Sequence, residues 1–246
     1  MKTLIDGDIL VYRIGFTTET EDLHIAYWRM DTLVDRILQE TGAGTYQIYL
    51  TETHDETAFR RQVYPEYKMN RKQARPIHYL DLREYLCSQW NAQVVKIIEA
   101  DDALGIEQYR LMEEKIDSVI ASIDKDLDMI KVHHYNFVKE EWYNVDYYNA
   151  IRNFYKQLLT GDTVDNIKGV PGIGPKKAEG ILSELYTEYE MFDTVRDVYG
   201  NDEEMLMNGE VLWILRKPYP HGEWKYTTYG SKLMSEKQEE LPMSDT

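Results

Sequence analysis

Short apolar runs, each closed by a carboxylate, recur along this chain and constrain its fold more than any other feature. Thr3-Leu4-Ile5 ends at Asp6, Val94 to Ile98 runs into Glu99, Asp101 and Asp102, and Val119 to Ile123 leads to Asp124 and Asp126. Runs this short suit strands covered on both faces. The expected strands are Lys2 to Ile5, Thr45 to Leu50, Val94 to Ile98, Val119 to Ile123 and Met129 to Tyr135. Leu23 to Glu40 has helical spacing through Ile25, Trp28, Leu33, Val34, Ile37 and Leu38, with Gly42 as its stop. Further helices are expected at 77–90, 102–116, 146–160, 175–186 and 202–216. The fold class is therefore α/β: a mainly parallel central sheet flanked by helices, then a mostly helical C-terminal third.

The segment Gly161-Asp-Thr-Val-Asp-Asn-Ile-Lys-Gly-Val-Pro-Gly-Ile-Gly-Pro-Lys-Lys-Ala178 joins a carboxylate pair, Asp162 and Asp165, to a hairpin able to hold a phosphate. Gly172 and Gly174 let a phosphodiester approach the main chain, and Pro175 occupies a first helical turn at no cost. The helix N-terminus with Lys168, Lys176 and Lys177 supplies positive potential. Such a contact reads backbone, not bases.

In an α/β sheet, acids just past the carboxyl ends of strands converge on one crevice. Several carboxylates together stay ionised only with cations among them, and oxygen ligands favour Mg²⁺ first and Mn²⁺ second. Asp124-Lys-Asp-Leu-Asp128 is not an EF-hand, since Met129 and Tyr135 stand where that loop needs Gly and Glu. Strand alternation would instead point Asp124 and Asp126 to one side. His133-His134 in a strand would face opposite ways and could not chelate one ion.

A net charge of −16 looks wrong for a nucleic-acid binder, but residues 60–75 hold Arg60, Arg61, Lys68, Arg71, Lys72 and Arg75 against Glu66 alone. The basic groups are concentrated, as a binding surface requires. Acids elsewhere, including the Glu236 to Asp245 tail, read as solvated faces. A single cysteine, Cys87, excludes an internal disulfide and fits a reducing cytosol. The early charge in Met-Lys-Thr-Leu-Ile-Asp and the absence of a long apolar run lead to the expectation of a soluble cytoplasmic protein with no membrane partner.

Four blocks in order resemble the 5′-nuclease superfamily of flap endonucleases, polymerase I 5′-nuclease domains and phage-type 5′→3′ exonucleases. They are Leu4-Ile-Asp-Gly-Asp8; Phe59-Arg60 through Pro65-Glu-Tyr-Lys-Met-Asn-Arg71; Glu99-Ala-Asp-Asp-Ala103 with Ser122-Ile-Asp-Lys-Asp126; and Gly161 through Ala178. Residues 181–246 carry no assignable motif.

The resemblance implies one 5′-nuclease domain: a catalytic core over 1–140 with an arch or clamp near 60–90, a helical region over 141–200 with a helix-hairpin-helix motif of the H3TH type, and a helical segment with acidic tail over 201–246. It implies two Mg²⁺ or Mn²⁺ ions held by Asp6, Glu99, Asp101, Asp102, Asp124, Asp126, Asp162, Asp165 and a second-strand acid, Glu52 or Asp55, with Glu52 preferred. Asp8 is a neighbouring candidate. Lys68 and Arg71 would serve the scissile phosphate, with Arg60, Arg61, Tyr67, Lys72 and the hairpin on DNA. K⁺ at the Val170 to Ile173 carbonyls is a further implication. A monomeric 5′→3′ exonuclease or flap endonuclease acting on DNA is expected; alternatives are cleavage of RNA–DNA hybrids and a non-catalytic DNA-binding accessory protein.

Overall fold

The computed structural model describes residues 1–53, 56–71 and 74–235. The chain opens with β1 (Lys2–Asp6), α1 (Gly7–Thr17), α2 (Leu23–Glu40), β2 (Thr45–Thr51), α3 (Phe59–Val63), α4 (Tyr79–Trp90), β3 (Gln93–Val95), α5 (Ala100–Glu113) and β4 (Ser118–Ala121). A 3₁₀ turn at Asp126–Met129 leads to β5 (Val132–Asn136) and β6 (Glu141–Val145). Then come α6 (Tyr147–Thr160), the two-residue strands β7 (Gly161–Asp162) and β8 (Ile167–Lys168), α7 (Pro175–Leu182), α8 (Glu188–Tyr199) and α9 (Asp202–Leu212). A second 3₁₀ turn (Trp224–Tyr226) and α10 (Lys232–Ser235) complete the described chain.

The six-stranded sheet has the order β3-β2-β1-β4-β5-β6. Every pairing is parallel except β5 with β6. The strand order reverses at β1, which lies between β2 and β4, and this is the switch point where α/β sheets open a crevice. One face packs on α1, α2 and α4 through Leu10, Val34, Ile48 and Leu82. The other packs on α5 through Leu4, Leu104 and Ile120. A third apolar cluster joins α6 to α9, centred on Phe154, Leu158 and Trp213. Gly7 is required where α1 leaves the sheet, because a Cβ there would lie 2.5 Å from the Tyr49 carbonyl oxygen.

Several expected boundaries move. The apolar run 94–98 is strand only to Val95, because Ile97 adopts φ 70°, outside the β region. The 129–135 run begins its strand at Val132, since the preceding residues form the 3₁₀ turn. Asp124 and Asp126 therefore do not follow strand alternation; a turn carries them, with Asp126 N–H donating to Asp124 Oδ1 at 2.9 Å. The antiparallel β6 and helices α1, α3 and α8 are additions that the sequence patterns do not announce. Within the 60–90 segment, α4 contributes Leu82 and Leu86 to the core, both fully buried. The expected basic residue Lys72, the alternative acid Asp55 and the 236–246 tail lie outside the described residues.

Candidate active site and nucleic-acid interface

A cleft of about 50 Å³ opens between α3, the start of α5, the 124–126 turn and the Asp162–Asp165 loop. Glu99, Asp101, Asp124, Asp126, Asp162 and Asp165 line it with Lys68 and Arg71. Asp6 lies buried beside them, 2% exposed, its carboxylate capping α1 through Ile9 N–H and accepting from Ser122 Oγ at 2.8 Å. One site thus receives residues from five separate parts of the sequence.

The acids divide by partner. Glu99 accepts from Lys68 Nζ at 2.6 Å and from the Tyr67 hydroxyl at 2.9 Å. Burial alone would raise its pKa, but Lys68 and then Arg60 outweigh it and hold Glu99 at about 2. Asp165 pairs with Arg71 and accepts from Tyr67 at 3.0 Å, with Lys68 Nζ 3.6 Å away. For Lys68, burial opposes the charge, and Glu99 followed by Asp165 overcomes it, so its pKa is raised. Lys68 itself is at φ 58°, fixed by its N–H donating to the Asp165 carbonyl at 2.9 Å. A left-handed lysine costs on the order of 1–3 kcal/mol and persists because the surrounding bonds hold it.

Asp101, Asp124, Asp126 and Asp162 have no salt bridge among the described residues. Burial, then the charges of Asp6 and Asp124, push Asp101 well above the carboxylate range. Burial also raises Asp124. It lifts Asp126 to about 7, with Asp124 and Asp162 adding repulsion. Asp6 likewise reaches about 7 through burial and the charge of Asp8. For Asp101 and Asp124 the positive charge of Lys68 opposes these effects without cancelling them.

Burial and pairing tie three expected ligands or contacts into the protein's own structure. Asp102, fully buried, accepts from Arg60 at 2.5 and 2.8 Å, from Leu215 N–H at 3.0 Å and from Glu99 N–H at 3.0 Å. Both oxygens are committed to structure, and the residue is not part of the cleft lining. Arg60, 4% exposed, also donates to the carbonyls of Val211 and Trp213 and cannot reach DNA as a surface residue. Tyr67 is buried too, so its role is to orient Glu99 and Asp165, not to stack on a base. Glu52 lies outside the cleft lining, its carboxylate folded onto Thr53 N–H at 2.7 Å. Asp8 accepts from Thr51 N–H at 3.0 Å and pairs with Arg83 at 2.9 Å. The 211–216 segment, which lines the site with Val211, Leu212 and Ile214, bears no motif; its bonds to Arg60 and Asp102 are made by main-chain groups, which leave no sequence signal.

The hairpin has the expected construction. Val170-Pro-Gly-Ile173 forms a turn closed by Ile173 N–H donating to the Val170 carbonyl at 3.1 Å, and Gly172 takes φ 76° as a type II turn demands. Gly174 is the N-cap of α7 and Pro175 stands in its first turn. Lys168, Lys176 and Lys177 are exposed with no salt bridge among the described residues, as is Arg61.

A parallel sheet with carboxylates gathered at its switch point, and cations and a glycine hairpin beside them, defines a class of phosphodiester-directed α/β hydrolases. The family model described as 5′-3′ exonuclease, N-terminal resolvase-like domain, matches residues 1–158, and the chain belongs to this family. Flap endonuclease Xni of Shewanella sp. (strain MR-4) is 27% identical over 226 residues, covering 84% of each chain. DNA polymerase I of Bacillus caldotenax is 28% identical over 237 residues, 87% of this chain and 27% of that protein. The structure of the T5 5′-exonuclease with bound zinc has the same fold, with a TM-score of 0.68 at 20% identity over 86% of this chain and 89% of that one.

Proposed function

We propose that this 5′ nuclease hydrolyses DNA phosphodiesters near 5′ ends, at termini, nicks or flaps, with divalent cations held by Asp6, Asp101, Asp124, Asp126 and Asp162. The observation that carries this reading is the pairing pattern. Asp102 is neutralised by Arg60, whereas Asp6 is buried and the other four are half-buried around it, none of the five with a salt bridge among the described residues. An all-carboxylate donor set fits a hard cation, Mg²⁺ first and Mn²⁺ second. Among the described residues no three carboxylates already converge closely enough to enclose an ion, so water would complete its coordination. Bound there, the cations supply Lewis-acid charge that polarises a phosphodiester and activates water.

The protein groups have separable tasks. Lys68, held at the cleft by Glu99, offers an ammonium to the charge that develops on the scissile phosphate. Arg71, 49% exposed in its side chain, steers that phosphate from the rim. Duplex DNA lies across the hairpin, its backbone met by Gly172, Gly174, Lys168, Lys176 and Lys177, with Arg61 adding long-range attraction. A monovalent ion such as K⁺ at the hairpin would share the Val170 oxygen with the Ile173 N–H. The chain acts as a monomer.

The decisive assay is digestion of 5′-labelled duplex, nicked, flap and RNA–DNA substrates with Mg²⁺, Mn²⁺ or EDTA, product lengths being read on a gel. Cleavage of DNA near the 5′ end that EDTA abolishes and Mg²⁺ restores is the expected result. Undiminished hydrolysis in chelator would sink the metal assignment, and preferential cutting of the hybrid would replace the DNA substrate.

A further inference from the structure

Gln157 stands five residues before Asp162 on α6, outside every motif in the sequence. Its Nε2 donates to Asp126 Oδ1 at 2.9 Å and reaches Asp162 Oδ2 at 3.4 Å. One turn earlier, Asn153 Nδ2 donates to the Asp128 carbonyl at 3.1 Å, so a single face of α6 grips the 126–129 turn at two points. Because α6 runs directly into Gly161-Asp162, the same rigid helix sets the distance between the two acidic loops. Gln157 lines the cleft, and its Oε1 is buried with no hydrogen-bond partner among the described residues. An unsatisfied buried acceptor is costly unless water or a ligand meets it.

We infer that Gln157 is a positioning residue for the metal centre: its amide nitrogen clips Asp126 to Asp162. The inference rests on the metal reading above. Carboxylates accept only, so the amide nitrogen must face them. A neutral amide is suited to this place. It orders two carboxylates without the full positive charge by which a lysine would compete with the cation. Partners of this kind behind metal ligands typically affect affinity by 10–100-fold.

The test uses the full chain with Gln157→Leu and Gln157→Lys. Mn²⁺ binding to the DNA-free protein is measured by calorimetry, and single-turnover flap cleavage is followed across a metal titration. Gln157→Leu is expected to weaken Mn²⁺ binding about tenfold, with the half-saturating metal concentration for cleavage rising equally and the rate at saturating metal falling less than about threefold. Gln157→Lys should weaken binding at least as much while keeping the side-chain stem packed, so misfolding of the leucine variant would not decide the matter. Wild-type metal affinity in both variants, whatever their melting temperatures, would overturn the positioning role and leave the metal reading intact. No Mn²⁺ binding by the wild-type protein would overturn both.

Discussion

Glu99 and Asp165 share Lys68 and the Tyr67 hydroxyl, and Asp165 also pairs with Arg71, whereas Asp101, Asp124, Asp126 and Asp162, in the same cleft, have no basic side chain in ion-pair contact among the described residues. The difference teaches that acids in one cleft can have opposite electrostatic settings. On the proposed metal reading, an acid already neutralised by the chain belongs to the scaffold that aims a cation at substrate. An acid with no ion-pair partner would be relieved of electrostatic stress by a divalent ion.

The largest effect should come from removing one uncompensated charge. Asp101→Asn should lower single-turnover cleavage on the order of 10³-fold, since it removes several kcal/mol of transition-state stabilisation. The metal-free variant should nevertheless melt no lower than the parent, because a buried repulsion has gone. A variant that cleaves normally, or unfolds, would erase the distinction between the two groups of acids.

Arg60→Ala is expected to destabilise by about 3–5 kcal/mol, as it leaves Asp102 buried and unpaired, whereas Arg61→Ala should stay within about 0.5 kcal/mol. Urea unfolding of both variants checks this. Equal effects would mean that the burial of Arg60 has no energetic consequence.

A smaller effect concerns pH. Asp6 and Asp126, lifted to about 7, hold protons in the folded protein that the unfolded chain releases near the usual carboxylate range. Their contribution to the stability of the metal-free protein is therefore fully present below that range and is lost as pH rises from about 4 to about 7. Glu99, held at about 2, works oppositely, its stabilisation being lost as pH falls from about 4.5 toward 2. Thermal melts in EDTA across this window should descend toward neutrality, and Mg²⁺ should flatten the descent. A rise toward pH 7 in EDTA would contradict the uncompensated group.

The smallest effect is at the hairpin. Lys176→Ala with Lys177→Ala should reduce the salt slope of duplex binding by roughly 0.9 for each phosphate that the variant no longer neutralises. With Ca²⁺ replacing Mg²⁺, an unchanged slope would show that these lysines do not touch DNA.

Much of the site is legible in the chain because its signals are local. An apolar run followed by an acid marks a strand end, and Pro171-Gly172 with Gly174-Pro175 dictates a turn and a helix start from backbone preferences alone. Arg60 and Arg61 are indistinguishable at that level, as are Asp101 and Asp102. The failures share a cause: each depends on a partner remote in sequence.

By its sequence alone, this protein is bound to an α/β sheet with acids at strand ends and a glycine hairpin, since hydrophobic period and turn chemistry act over a few residues. Only the tertiary structure decides which of those acids remain without a basic partner. Arg60 reaches Asp102 across 42 residues and the Trp213 carbonyl across 153, and a charge's value is set by the partners and burial it meets after folding.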